Sequence, residues 1–213
     1  MVVTFVISSI PSDTFSILDS KRLGKQRIEA KIIIETLEGK IEGYSKIPIT
    51  KMWIGHVDAL KQYFNECIHE WISRGFKNTL DKYEVKENVE FPFWFMNHQV
   101  HEAMKASLLR KDQEYYSSRI SLENPEYMNY GYIWTNKLTN EQIENMRNGI
   151  VLPLESICSD LGAGVPAQFR ISREICEEWL KDKLRNPKTG RKIKENGKMY
   201  KEFMSVAKFH KLL

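Results

Sequence analysis

Between Lys21 and Lys31, five basic residues (Lys21, Arg22, Lys25, Arg27 and Lys31) surround one acid, Glu29. With about 100° of rotation per residue, a helix over Leu18 to Leu37 places Arg22, Lys25, Gln26 and Glu29 on one face. Leu23, Ala30, Ile34 and Leu37 then form the adjoining apolar stripe. A carboxylate in that setting can act as a general acid or base, and the cations beside it are expected to keep it ionised. On these residues alone the plainer account is a solvated helix with an ordinary Lys25 to Glu29 pair, stabilising by about 0.3 kcal/mol.

Two further sets of residues can carry chemistry. His98 and His101 are three apart and can share a metal if a third ligand comes from elsewhere. The sequence offers no obvious third ligand, so histidines near phosphates, or ordinary helix residues, are the simpler reading. Tyr127 to Trp134 (YMNYGYIW) is an aromatic run that can stack bases or seal a core. Cys67, Cys158 and Cys176 are far apart and lack CxxC spacing, which fits reduced thiols and neither a disulfide framework nor a zinc site. Cys67 falls on an apolar helical face and is expected in the core.

The elements that must position these residues emerge from periodicity. Val2 to Ile7 is a β-branched and aromatic run, expected to be extended, and Ser12 or Asp13 can cap the segment after it. Beyond the basic helix, Gly39 to Pro48 is turn-rich. A second helix is expected from Thr50 or Lys51 to about Ser73, with Trp53, Val57, Leu60, Phe64, Cys67, Ile68 and Trp71 inward and a stop at Gly75. Asn97 can cap a third helix running to about Tyr116, with Val100, Met104, Leu108 and Leu109 inward and His98, His101, Lys105, Arg110 and Lys111 on its polar side. Thr139 and Gln142 have capping-box spacing ahead of a short helix to Met146. Gly149 to Gly164 has the character of a linker.

Composition bounds the class. At 213 residues, 42% apolar and 28% charged, the chain can bury one sizeable core and carry a small appendage. No run approaches a membrane span and the start lacks a signal-peptide pattern, so an intracellular protein without a membrane partner is expected. The net charge of +4 is uneven, because residues 171–213 hold 12 Lys and Arg against 6 Asp and Glu. That segment reads as a separate basic unit suited to an acidic partner, nucleic acid first.

Three blocks in order carry a resemblance: LDSKRLGKQRIEA, then MWIGHVDALKQYFNECIHEWISRG, then FPFWFMNHQVHEAMKASLLRKDQEYY with YGYIWT after it. Over roughly residues 1–135 the chain resembles the bacterial branch of the pyrimidine-dimer DNA glycosylase (endonuclease V) family. The resemblance implies a compact, mainly α DNA repair enzyme of the base excision type. Such an enzyme cuts the glycosidic bond at an ultraviolet pyrimidine dimer in double-stranded DNA and nicks the strand as an AP lyase, without a metal or other cofactor. It also implies an N-terminal amine as nucleophile and Glu29 as its acid–base partner. Met1 followed by the small Val2 is a processing pattern, so the amine is expected on Val2. Lys21, Arg22, Lys25, Gln26, His56, His98, His101, Lys105, Arg110 and Lys111 are the expected DNA contacts. A non-catalytic DNA-binding or virion-associated protein of the same fold, and a glycosylase for another damaged base, are the competing readings.

The tail carries a second resemblance. Cys176, Trp179, the run Asn186 to Ile193 (NPKTGRKI) and Tyr200 resemble the 2-cysteine adaptor domain of large DNA viruses, with Ala207 near the place of the second cysteine. This implies a docking module on a viral protein, found in the host cytoplasm or the virion. Its partner, protein or nucleic acid, stays open. The expected organisation is a helical catalytic domain at 1–136, a linker with a short helix at 137–170, and a small basic helical module at 171–213.

Overall fold

The computed structural model describes residues 2–161 and 171–213. Met1 and the last part of the expected linker, 162–170, lie outside the described residues. The fold is mainly helical, and among the described residues the only β pairing is two isolated bridges, Ile133 with Cys158 and Arg185 with Lys192.

Helix α1 (Pro11–Ile17) begins with proline at its first turn, where the missing N–H has no partner to lose. Ser12 and Asp13 therefore lie inside the helix and do not cap it. Asp13 instead accepts the Ser8 hydroxyl at 2.9 Å. Helix α2 (Ser20–Leu37) is capped by Asp19, which accepts the Arg22 N–H at 3.0 Å. The single helix expected from residue 50 to 73 is split into α3 (Pro48–Met52) and α4 (Val57–Ser73), because the chain turns at Gly55 with φ of 84°. Asn97 caps α5 (His98–Lys111) as expected, but Asp112 ends it and caps a separate turn, α6 (Gln113–Tyr116). Helix α7 (Asn140–Arg147) has the full capping box, with the Thr139 N–H donating to Gln142 Oε1 at 2.9 Å and the Gln142 N–H to Thr139 Oγ1 at 3.1 Å. A short α8 (Leu154–Ile157) comes next.

The core of the first unit is built on α2 and α1 packed against α4. Phe15, Trp53, Tyr63, Trp94 and Phe95 are among its buried rings, with edge-on contacts such as Trp53 with Trp94 at 4.9 Å and 81°. Gly24 allows the close approach of α2 to α4: a Cβ there would lie 3.0 Å from the Trp71 ring. That indole is engaged elsewhere too, since Phe76 stacks on it at 4.2 Å and the Arg27 guanidinium sits 3.9 Å from its centroid. Tyr127, Tyr132, Ile133 and Trp134 are buried, so these members of the aromatic run seal the core, while Tyr130 is half-buried.

Residues 137–160 depart from the linker expectation. Met146, Leu154 and Ile157 are buried in the first core, and the chain divides after Asp160. The Gln99 amide pairs with both backbone groups of Leu152, at 2.8 and 2.9 Å, and further stitching is backbone to backbone. Gly131 N–H donates to Ser159 O at 2.7 Å and Ser159 N–H to Tyr132 O at 2.9 Å. Gly131 has no room for a side chain, as its Cβ would come 2.5 Å from Asp160 O.

The second unit has its own small core of Ile171, Cys176, Trp179, Ile193, Phe203, Val206 and Ala207. Helices α9 (Arg173–Lys181) and α10 (Lys198–Phe209) supply most of it, with Trp179 stacked on Phe203 at 5.0 Å. Ala207 is wholly buried beside the other core residues, so a methyl group fills the place expected for the second cysteine. Because each unit buries its own apolar set, deleting residues 171–213 is expected to leave a cooperative melting transition in the remainder, read by calorimetry. Loss of cooperativity would make the tail part of the first core.

Candidate active site

The site begins with the segment Val2–Ile7, whose backbone has no strand beside it among the described residues. Buried N–H and C=O groups need partners, and here side chains of α2 and its neighbours supply them. Gln26 is the main one. Its Nε2 donates to Val3 O at 2.6 Å and its Oε1 accepts the Phe5 N–H at 2.5 Å, so one amide serves the chain as an adjacent strand would. Tyr63 O–H shares its proton between Phe5 O at 2.7 Å and Gln26 Oε1 at 2.8 Å. Thr14 Oγ1 accepts the Ile7 N–H at 3.1 Å, and Thr4 Oγ1 accepts the Trp53 indole N–H at 3.0 Å.

Glu29 sits one turn along α2 from Gln26 and is only 5% exposed. Its Oε2 accepts the Val3 N–H at 3.4 Å and the Gln26 amide at 3.2 Å, while its Oε1 lies 3.2 Å from Lys25 Nζ. The helix therefore presents a buried carboxyl, not a solvated pair. Burial raises its pKa above the ordinary glutamate value, and Lys25 and the Val3 N–H offset that only in part. Desolvation thus outweighs the neighbouring cations in the direction of the shift. A carboxyl whose pKa is raised by burial, in contact with the first residues of the chain, is placed for acid–base work there.

Around this carboxyl the tertiary structure gathers cations from two helices. Arg22 is held between Asp19 at 2.5 Å and Asp112 at 3.6 Å, with its guanidinium 5.4 Å from the Tyr116 ring centroid. Tyr116 O–H also donates to Asp19 Oδ2 at 2.6 Å. Burial disfavours the Asp19 charge, yet the hydrogen bonds from Tyr116 and Arg22 bring its pKa below the usual value. Lys111, exposed at the end of α5, lies in the field of Arg22, Lys25 and Glu29. Desolvation first, and then the nearby Arg22, Arg110 and Lys25, lower its pKa. Lys21 and Lys25 are exposed on α2.

Other expected contact residues are placed differently. Gln26 is buried and committed to the N-terminal segment. His101 is buried with Nε2 2.8 Å from Phe95 O, and burial lowers its pKa. Arg110 is 4% exposed and donates to Tyr127 O at 2.9 Å and Met128 O at 3.3 Å, with desolvation pulling its pKa down to about 10. These three are buried and engaged with backbone within the fold; on α5 the cause is that the helix is packed nearly all round. His98 Nε2 lies 3.0 Å from Glu123 Oε1, Lys105 Nζ lies 2.9 Å from Glu102 Oε1, and His56 Nδ1 lies 3.1 Å from Glu90 O. Sequence pattern does not mark Asp19, Tyr116 or Asp112 as positioning residues. The Leu-Asp start of α2 is the one signal, as a helix cap.

Comparison with known families places these residues in context. Residues 2–84 match the family model described as pyrimidine dimer DNA glycosylase, and residues 175–206 match that of the 2-cysteine adaptor domain. The first match takes in the N-terminal segment and helices α1 to α4, hence Glu29 and its hydrogen-bond partners. It supports a DNA repair function of the pyrimidine-dimer glycosylase type and DNA as substrate. The third sequence block, from Phe91 onward, lies outside it. Searches of curated proteins and of solved structures found no match. Among the described residues no helix is long and apolar enough to cross a membrane.

Proposed function

We propose that the chain is a DNA N-glycosylase for ultraviolet pyrimidine dimers that also nicks the strand, with the amine of Val2 as nucleophile and Glu29 as acid–base group. The observation that carries this is the 3.4 Å contact between Val3 N–H and Glu29 Oε2. Val2 is one residue upstream, about 3.8 Å along the chain, so removal of Met1 puts a free amine beside a buried carboxyl. An α-amine has a pKa near 8 against ~10.4 for lysine, so at pH 7 about a tenth of it is neutral and nucleophilic.

In the proposed reaction the Val2 nitrogen attacks C1′ and the glycosidic bond breaks, its electron pair leaving with the base, which takes up the proton that the amine releases. The C1′–O4′ bond then opens to an imine as Glu29 gives O4′ a proton. The same carboxylate takes a proton from C2′, and the C3′–O bond breaks with its electrons on the departing phosphate. Each step balances with groups of this chain and of DNA. Lys21, Lys25 and Lys111, with Arg22 fixed by its two aspartates, hold the flanking phosphates. An approaching phosphate also relieves the crowding of Arg22, Lys25 and Lys111.

The test is borohydride trapping on a duplex with one pyrimidine dimer, with peptide mapping of the product. The adduct is expected on Val2. An adduct on Lys21 or Lys25 removes the amine assignment. Absence of any adduct or nick, with binding intact, favours the non-catalytic reading, and trapping only on other lesions favours a different damaged base.

A further inference from the structure

Helix α5 links two distant parts of the first unit. Its C-terminal end carries Lys111, in the field of Glu29 and Arg22. Its N-terminal end, about 20 Å away by the helical rise, borders a groove that the proposed chemistry leaves unused. The groove consists of two adjoining concavities of about 410 and 450 Å³, which share His98, Gln99 and Val151 in their walls.

The two halves differ in character. The first is apolar: Met96 is 60% exposed, Ile150 50% and Val151 76%, and half-buried Phe93 lies in the same wall. Its arginine, Arg147, is turned onto the Phe93 ring, 5.0 Å from the centroid, and lies 3.8 Å from Glu144 Oε2. The second half is acidic. Glu102, Glu123, Glu126 and Glu155 line it, and among the described residues no lysine or arginine does. Glu102 is paired with Lys105 and Glu123 with His98, whereas Glu126 and Glu155 are exposed and have no ion pair among the described residues. The charge is local. Residues 120–160 hold six acids (Glu123, Glu126, Glu141, Glu144, Glu155 and Asp160) against Lys137 and Arg147, in a chain of net charge +4.

The walls are fixed before anything binds. Gln99 brackets the backbone of Leu152, and Asn97 Nδ2 donates to Met146 O at 3.2 Å. A preformed groove spares a ligand the cost of ordering it. Nucleic acid and anionic membrane surfaces are repelled by the carboxylates, and among the described residues no three His, Cys, Asp or Glu groups are placed to hold a metal. A small amine would meet the carboxylates and leave three exposed apolar side chains in water. A basic segment that also carries an apolar residue satisfies both halves.

We propose that this groove docks a basic segment of a partner protein, with an apolar side chain of that segment against Met96, Ile150 and Val151 and its cations on Glu126 and Glu155. The proposal goes beyond the repair reading and stands without it. Because the groove and Lys111 lie at opposite ends of α5, DNA and the segment can bind at the same time.

The experiment selects a displayed library of random short peptides on the immobilised full chain, then measures the best binder, labelled with a fluorophore, by anisotropy. The selected sequences are expected to join Lys or Arg with a large apolar residue. Met96→Ser with Val151→Ser is expected to weaken the peptide by at least about tenfold. Glu126→Gln with Glu155→Gln is expected to weaken it about fivefold at low salt and to flatten its salt dependence. A DNA duplex should bind both variants as it binds the parent, and should not displace the peptide. Failure to select any sequence, selection of acidic sequences, affinity that survives both pairs of substitutions, or displacement by the duplex would each overturn the proposal. So would spermine binding as tightly as the peptide, which would give the groove to small amines. Near-ultraviolet circular dichroism reports whether each variant keeps its fold, and a serine pair that fails is replaced by Met96→Ala with Val151→Ala.

Discussion

Glu29→Gln is expected to lower strand nicking at a pyrimidine dimer by at least about 100-fold while raising thermal stability at neutral pH. The activity loss comes from removing the carboxyl that contacts the start of the chain, with the amide keeping the shape and the Val3 N–H contact. The stability gain comes from burial. Folding raises the Glu29 pKa, so the folded state favours its protonated form. The stability this group contributes is therefore full below the unfolded value near 4.5 and is lost as pH rises through the raised folded value. Where Glu29 is ionised the wild type carries a poorly solvated charge, and the glutamine variant does not. Melting curves at pH 4 and pH 7 test this: the advantage of the variant should be present at pH 7 and shrink at pH 4. A variant that nicks within a few-fold of wild type returns Glu29 to a merely structural group. A variant that melts lower at pH 7 shows that the pair with Lys25 outweighs desolvation.

Gln26→Ala is expected to be the most destabilising change in α2 that leaves the hydrophobic core intact. The side chain is 1% exposed and engages Val3 O, Phe5 N–H, Tyr63 O–H and Glu29 Oε2 together. Alanine leaves the Val3 carbonyl and the Phe5 N–H buried without partners, each costing about 1–3 kcal/mol, so a loss of roughly 2–6 kcal/mol in chemical denaturation is expected. Catalysis should fall with it, because the contact between Val3 and Glu29 depends on the same pinning. A loss under about 0.5 kcal/mol, typical of a surface position, would mean that burial of Phe5 and Val6 holds the segment without Gln26. Gln26→Glu separates shape from chemistry: it keeps an acceptor for Phe5 but sets a carboxylate against Val3 O and Glu29, and should be no better than alanine.

Much of the fold is readable from local pattern. The basic helix, its leading Leu-Asp, the apolar stripe of α4, the Asn97 cap and the Thr139–Gln142 capping box each rest on a few neighbouring residues, and local chemistry decides them. Helix breaks are harder to read, because Gly55 and Asp112 interrupt stripes that continue on both sides of them. The loop character of Gly149 to Gly164 suggests a linker, but a handful of residues, Met146, Leu154 and Ile157, and the backbone contact at Gly131 fix the part up to Asp160 to the first unit.

Helical periodicity is enough to put Arg22, Lys25, Gln26 and Glu29 on a shared face, and to separate that face from the apolar one. It cannot say what covers the polar face. A helical wheel marks polar residues as outward because water is the usual partner of a polar group. Here the partner is the backbone of Val2–Ile7, which takes its hydrogen bonds from Gln26, Glu29 and Thr14 in place of a neighbouring strand. The same exchange of water for carbonyl oxygens buries His101 and Arg110 on α5. Which polar residue meets solvent, which meets backbone, and hence which carboxyl has its pKa raised by burial, is decided only when distant segments pack together.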